Sequence, residues 1–197
     1  MAGLVDFVAR LKSWQVFILL VAPLIASVFY TFTALLGKPA SELPLSVEQY
    51  DSFLRHKAMI SAVQGLLPFG WLLSLGISAN RRVKKDLRES TKLAVGSAVL
   101  VSAYILVTTL FIPKNYAPSD GGTSSLFFWS FHVLMMAAIV YVFAFTARNI
   151  TMAEKQSPIA FSDYSGPFFL FWFYPIGVWL VQPRSNRIAM RAPAQPQ

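Results

Sequence analysis

The chain has 197 residues, of which 55% are hydrophobic and 13% are charged. Soluble domains carry roughly 25% charged residues, so this composition excludes a disordered tail and argues against an ordinary soluble domain. The 17 Lys and Arg residues outnumber the 9 Asp and Glu residues, which gives a formal net charge of +8, and there is no cysteine. The lack of cysteine excludes disulfides and thiolate-bound zinc or iron–sulfur sites.

Four apolar segments are long enough to cross a bilayer as helices. About 20 apolar residues cover the ~30 Å of hydrocarbon, and lipid offers no partner to open backbone groups. The segments contain no Asp, Glu, Lys or Arg and span residues 14–36, 58–79, 93–112 and 126–147. The sequence therefore predicts an all-α integral membrane protein, with residues 1–197 forming a single membrane domain. The first segment is too long for the apolar region of a cleaved signal peptide, so we expect an uncleaved anchor.

The second predicted helix has a recognisable start outside its apolar segment. Ser46 followed by Gln49 matches a capping box, in which each side chain bonds the other residue's backbone N–H. We therefore expect this helix to begin near Val47 and to enter the membrane as one rod. The alternative is a separate interfacial helix with a break near His56.

The basic residues of the connecting segments indicate the orientation. With the N-terminus inside, the inner segments carry 13 Lys and Arg residues and 5 acidic ones, and the outer segments carry 4 of each. The outer basic residues are Lys38, Arg55, Lys57 and Lys114. Because short cytoplasmic loops are enriched in Lys and Arg, we expect a bacterial inner-membrane protein with both termini in the cytoplasm.

The last hydrophobic stretch, residues 168–182, is the least regular part of the chain. Its 15 residues (FFLFWFYPIGVWLVQ) make a helix of roughly 22 Å, which is short for a span. Pro175 lacks a backbone donor and its ring clashes with the carbonyl of Phe171, which favours a bend. We expect a short aromatic element that is re-entrant or interfacial on the cytoplasmic side. The alternative is a fifth span, which would carry the tail arginines to the other side.

The limits of this element follow from its flanking residues. Ser165 or Gly166 is expected to cap it, with Pro167 in the first turn, and Gln182 with Pro183 to end it. The element either anchors the bundle through its aromatic side chains or presents a docking surface for a partner. Residues 172–184 (WFYPIGVWLVQPR) resemble the C-terminal end of small bacterial membrane proteins, a resemblance that implies no activity.

The most basic loop, residues 80–92, has a net charge of +4. It serves as a topology signal, or it binds anionic lipid or an acidic partner. Nucleic acid is not expected, because a short tethered loop without aromatic residues has no surface to read it. The candidate lipid or partner contacts, from this loop and from the C-terminal element, are Arg81, Arg82, Lys84, Lys85, Arg88, Trp172, Tyr174, Trp179, Arg184 and Arg187.

A few polar residues lie inside the predicted spans. Gln64 and Pro68 fit ordinary bundle packing, or a hinge beside a polar cavity, because proline frees a carbonyl one turn back. His132 is a weak candidate haem ligand, with a neutral histidine hydrogen-bonded between helices as the alternative. Ser130 lies two residues from His132, on a different helix face, so the pair does not form a catalytic dyad.

These features favour a non-enzymatic function. We expect an accessory, scaffold or assembly subunit that contacts membrane lipids, another membrane protein or a second copy of itself. A small channel or transporter is the alternative, and a b-type haem electron-transfer subunit is the third hypothesis. No metal or catalytic residue is assigned, and no cofactor is expected.

Overall fold

A computed structural model describes residues 2–36, 47–110 and 123–191, and in these ranges the chain is helical with no strand. A short 3-10 turn, Lys85–Leu87, lies between the third and fourth helices. The α-helices are α1 (Ala2–Arg10), α2 (Ser13–Leu36), α3 (Val47–Asn80), α4 (Lys92–Leu110), α5 (Thr123–Lys155), α6 (Phe161–Trp172) and α7 (Tyr174–Ala189). Ser46, Lys38, Lys114 and the last two residues of the third predicted segment lie outside the described residues.

Four of these helices are long and apolar enough to cross a membrane. Their apolar spans, for α2 to α5 in turn, are Ser13–Thr33, Tyr50–Asn80, Lys92–Thr109 and Trp129–Lys155. For the described residues, the prediction of an all-α chain is therefore confirmed. The prediction of four helices that are long and apolar enough to cross a membrane is confirmed too. The expected start of the second helix is also confirmed, because α3 begins at Val47 and continues without a break past His56.

α3 is the central helix, since it packs against α2, α4 and α5 and also against α1 and α7. Its inward face carries the fully buried Leu72 and Leu75. At Gly76 the side chains of α5 pack so closely against the backbone of α3 that an added Cβ would lie 2.9 Å from atoms of the Phe145 and Thr146 side chains. The approach lets the Thr146 hydroxyl donate a hydrogen bond of 3.1 Å to the Leu72 carbonyl.

The outward faces of the four long helices are apolar and exposed. Soluble monomers rarely expose large continuous apolar surfaces, because water makes them unfavourable. The exposed large side chains include Ile25, Val28, Phe29 and Phe32 on α2, Leu93, Val99 and Val107 on α4, and Val133 and Leu134 on α5. The lateral surface of the bundle is therefore suited to hydrocarbon.

α6 and α7 form a helical hairpin whose turn is the single residue Phe173 (φ −108°, ψ 51°). Pro175 is the second residue of α7, and its missing N–H and bulky ring prevent α6 from continuing into α7. The two helices then fold so closely together that a Cβ at Gly177 would lie 2.3 Å from the Leu170 carbonyl oxygen. The bend expected at the proline is thus a complete break.

The first residues of α6 and the residues just after α7 lie at the same end of the bundle. At the start of α6, Asp163 accepts a hydrogen bond of 2.6 Å from Lys155, the last residue of α5. Just after α7, Arg191 donates one of 3.1 Å to the carbonyl of Ala153, also near the end of α5. We call this end of the bundle, where α3 and α5 finish and α4 begins, the basic end.

The expected start of the short aromatic element is wrong. α6 begins at Phe161, so residues 165–167 lie within the helix and do not cap it. The start is fixed instead by Asp163, whose carboxylate accepts a hydrogen bond of 2.8 Å from the backbone N–H of Ala160. This carboxylate also pairs with α5, so a tertiary contact sets the boundary.

The expected end of the element is also wrong. α7 continues through Pro183 to Ala189. Pro183 lies in the interior of α7, where it removes one backbone donor, but the helix beyond it packs into the bundle with Ser185 and Ile188 buried. Packing of this last stretch therefore outweighs the local stop signal.

Candidate functional site at the basic end

The basic end is built from α1 and the two residues that follow it, from the ends of α3, α5 and α7, from the starts of α4 and α6, and from the loop between α3 and α4. All 13 Lys and Arg residues that the sequence assigns to the inner side are described, and they belong to these segments. The 5 acidic residues assigned to that side lie there too. Arg55 and Lys57, which the sequence assigns to the outer side, lie on the first turns of α3, away from this end.

Four of these acidic residues form ion pairs within the chain. The pairs are Asp6–Arg82 (3.1 Å), Glu89–Arg148 (2.5 Å), Asp163–Lys155 (2.6 Å) and Glu154–Arg184. Each pair joins elements that are distant in sequence or meet at a corner. Asp86, the fifth acidic residue, is exposed.

The ion pairs shift the ionisation of their carboxyl groups. Burial raises the pKa of Asp6, but hydrogen bonds from Arg82 and Ser78 outweigh it, so the pKa lies below its ordinary value of 3.8. The hydrogen bond from Lys155 lowers the pKa of Asp163 in the same way. Both carboxylates are therefore charged at neutral pH.

Arg82 is a structural centre of the basic end and is only 5% exposed. Its Nη1 donates to Asp6 at 3.1 Å and to the carbonyl of Ser78 at 2.8 Å. Its Nη2 donates to the carbonyl of Ala189 at 2.9 Å, and its Nε to that of Arg191 at 3.2 Å. The guanidinium thus joins α1, α3 and the end of α7, and we leave it out of the candidate surface.

The remaining basic residues carry the charge surplus. We define the basic surface as Arg10, Lys12, Arg81, Lys84, Lys85, Arg88, Lys92, Arg187 and Arg191, all exposed or half-exposed. Among the charged candidates from the sequence, Arg81, Lys84, Lys85, Arg88 and Arg187 belong to this surface, whereas Arg82 and Arg184 are held in ion pairs. The nine basic residues of this surface, together with the exposed Asp86, account for the whole surplus of +8 at this end.

The aromatic candidates lie along the hairpin. Trp172, beside the turn, packs its ring 5.3 Å from that of Phe143, near the middle of α5. Trp179 on α7 lies 5.5 Å from Phe17 on α2, and Tyr174 packs against the core. Both tryptophans remain 44% and 49% exposed, so they close the bundle on one side and present an outward face on the other.

The polar residues inside the spans occupy different helices. Gln64 and Pro68 are half-buried on α3, which stays continuous at the proline. His132 on α5 lies 2.8 Å from the Tyr104 hydroxyl on α4, measured at Nδ1. His132 thus has a hydrogen-bond partner on a neighbouring helix, which is the alternative to a haem ligand. Among the described residues, no group of three His, Asp or Glu side chains is arranged to hold a metal ion.

Gln182 is a buried polar residue whose role the sequence did not reveal. Its Oε1 accepts a hydrogen bond of 2.8 Å from Trp71, and its Nε2 donates one of 2.9 Å to the carbonyl of Leu11. Asn186, one turn later, donates to the same carbonyl at 3.2 Å. A glutamine at the end of an apolar run indicates that its amide has a buried hydrogen-bond partner, but the sequence does not identify that partner.

Comparisons of the chain with protein-family models, with curated proteins and with solved structures gave no match. No relative therefore supplies a function. The charge and geometry of the chain are the features from which a function can be inferred.

Proposed function

We propose that the chain is a non-catalytic integral membrane protein, an accessory or scaffold subunit that binds anionic lipid through its basic surface. The observation that carries the proposal is the division of charge at the basic end. Four acidic residues are taken up by internal ion pairs, so Asp86 is the only described acidic residue at this end outside an ion pair, against nine basic residues. Each Lys or Arg near an anionic leaflet contributes about 1 kcal/mol of attraction.

The position of these residues along the helices suits lipid headgroups. Lys12 directly precedes the apolar span of α2, Arg81 directly follows that of α3, and Lys92 opens that of α4. Basic groups at the ends of apolar spans lie at the depth of the lipid phosphates. Anionic headgroups are therefore the nearest ligands for the basic surface.

In this proposal α2 to α5 cross a bacterial inner membrane and the basic end lies in the cytoplasm. The exposed apolar faces of these helices support the crossing, and the concentration of Lys and Arg at one end supports the orientation. The α6–α7 hairpin enters the bilayer from the cytoplasmic side and returns to the same side. This path is supported by the start of α6 and the end of α7, which both lie at the basic end.

Lipid titration of the purified protein, read by native mass spectrometry, tests the proposal. The chain should bind phosphatidylglycerol more tightly than phosphatidylcholine. The double variant Lys84→Gln/Lys85→Gln should lower the affinity for phosphatidylglycerol about thirtyfold, because two surface charges of about 1 kcal/mol each are lost. The matched variant Arg55→Gln/Lys57→Gln removes two charges from the other end of α3 and should leave it unchanged. An equal loss of affinity for phosphatidylglycerol in the two double variants would contradict the proposal.

The other functional hypotheses stay predictions. Co-purification in mild detergent tests for another membrane protein or a second copy. Solute flux into liposomes, with Gln64→Leu as control, tests a channel or transporter. A Soret band in the purified protein would identify a haem subunit.

A further inference from the structure

A cleft of about 430 Å³ opens near the basic end, between the start of α4, the second half of α5 and the start of α6. Charged groups line one part of it, the ion-paired Glu89 and Arg148. Apolar groups line another part, among them Leu93, Ala144 and Phe145. The cleft is therefore amphipathic, and none of its lining residues belongs to the basic surface.

The lining changes from charged to apolar in the direction of the proposed membrane. Arg148 lies about two helical turns nearer the basic end than Tyr141, another lining residue, a rise of roughly 10 Å. Glu89 precedes the apolar span of α4, whereas Leu93 lies within it. A molecule that fills the cleft thus meets charge at one end and hydrocarbon-like surface at the other, as a phospholipid requires.

Glu89 is held firmly at the charged part of the cleft. Its backbone exchanges two hydrogen bonds with the Asn80 side chain, at 2.8 and 3.1 Å. Its carboxylate meets Arg148 at 2.5 Å and lies 3.5 Å from Nδ2 of Asn149. Asn149 is fully buried, and its Oδ1 has no hydrogen-bond partner among the described residues. The carboxylate is therefore fixed in advance of a ligand, and unused accepting capacity remains beside it.

We propose that this cleft binds one phospholipid with a phosphoethanolamine headgroup. The guanidinium of Arg148 holds the phosphate, the carboxylate of Glu89 holds the primary ammonium, and an acyl chain lies along Leu93 and Ala144. The inference rests on the proposed crossing of the membrane by α4 and α5, but not on the binding of anionic lipid at the basic surface.

The pairing of Glu89 with Arg148 selects a zwitterionic ligand. The two charges already neutralise each other, so a purely anionic headgroup would meet Glu89 as a like charge. A phosphoethanolamine group brings one charge of each sign, and its phosphate accepts paired hydrogen bonds from a guanidinium. Its ammonium also donates hydrogen bonds to the carboxylate, which the quaternary ammonium of phosphatidylcholine cannot do.

Competitive lipid titration of the full chain tests the inference, with phosphatidylethanolamine, phosphatidylcholine and phosphatidylglycerol of identical acyl chains. We expect one phosphatidylethanolamine molecule bound about tenfold more tightly than phosphatidylcholine, because a charge-assisted hydrogen bond is gained. Glu89→Gln should remove that preference. Glu154→Gln is the matched control, since it loses an ion pair to Arg184 at the same end and leaves the cleft intact.

A second variant changes the shape of the cleft without replacing a charged residue. Ala144→Phe fills its apolar part and should also abolish the preference, which keeps the test decisive if Glu89→Gln does not fold. Equal binding of phosphatidylethanolamine and phosphatidylcholine by the unmodified chain overturns the inference, as does a preference that survives Ala144→Phe. Displacement of the lipid by soluble phosphoethanolamine at equal concentration overturns a phospholipid as the occupant. Loss of phosphatidylglycerol binding in Lys84→Gln/Lys85→Gln, with this preference intact, supports two separate sites.

Discussion

The indole Nε1 of Trp71 donates a hydrogen bond of 2.8 Å to the side-chain oxygen of Gln182, and both side chains are buried. The bond joins α3 to α7. The amide nitrogen of Gln182 also lies within 3.3 Å of the carbonyl oxygens of Val8, Ala9 and Leu11. Because the last carbonyls of a helix have no partner within it, the two N–H groups of this amide help to satisfy the end of α1 while the side-chain oxygen positions α7.

Replacement of Gln182 by leucine should destabilise the fold. Gln182→Leu keeps the approximate size of the side chain but leaves the Trp71 N–H without its partner and removes the hydrogen bonds from the amide nitrogen to the carbonyls at the end of α1. We expect a loss of about 1–3 kcal/mol in the free energy of unfolding, measured by denaturant titration in detergent. Gln64→Leu, at a half-buried position of α3, is the control and should change stability little. Similar losses in both variants would contradict the assigned role.

The turn of the hairpin depends on a glycine. In Gly177→Ala the new Cβ would lie 2.3 Å from the Leu170 carbonyl oxygen, and this backbone atom cannot move without opening the α6–α7 contact. We expect a loss of about 2 kcal/mol or more, as for other overpacked sites, measured as a lower melting temperature in detergent. Gly166→Ala, where no atom lies within 4 Å of the new Cβ, should be neutral or slightly stabilising. A neutral Gly177→Ala would contradict the close contact between Gly177 and the Leu170 carbonyl.

Local signals in the sequence predicted the main helices well. Apolar length located the four long helices, and the capping pattern located the start of α3 at Val47. Pro175 predicted a disturbance in the last element, because a missing donor and a ring clash act within one turn. The limits of α6 and α7 were wrong, since Asp163 at one end and the packing of Ile188 at the other act through distant elements.

The roles of individual polar residues were harder to predict. Six basic residues in one loop look alike in sequence, and only the fold shows that Arg82 turns inward to Asp6. The pairing of Glu89 with Arg148 joins a loop to a helix far along the chain, and no periodic pattern marks it. Long-range contacts of this kind follow from how the helices pack, which composition and spacing do not determine.

Single cysteines test the path of the hairpin, because the chain contains no cysteine of its own. Lys85→Cys and Arg187→Cys lie at the basic end, and Lys57→Cys lies on the first turns of α3. With a membrane-impermeant maleimide, Lys57→Cys should react in intact spheroplasts, whereas the other two should react only after lysis. Phe173→Cys, at the hairpin turn, should be protected in both states. If Arg187→Cys reacted in intact spheroplasts, as Lys57→Cys should, the last hydrophobic element would cross the bilayer.

The contact between α1 and α3 should weaken in acid. The pKa of Asp6 is below its ordinary value of 3.8, because hydrogen bonds from Arg82 and Ser78 outweigh the opposing effect of burial. A carboxyl with a lowered folded-state pKa stabilises the fold above its unfolded pKa, and this contribution is lost as pH falls through the folded value. Asp6→Asn should therefore unfold more easily than the unmodified chain at pH 7, and the difference should shrink as pH falls below about 3.8. Denaturant titration in detergent at several pH values measures this difference, with Asp86→Asn at an exposed position of the same end as the control. A deficit that stays constant down to the lowest pH would mean that Asp6 acts through packing and not through its charge.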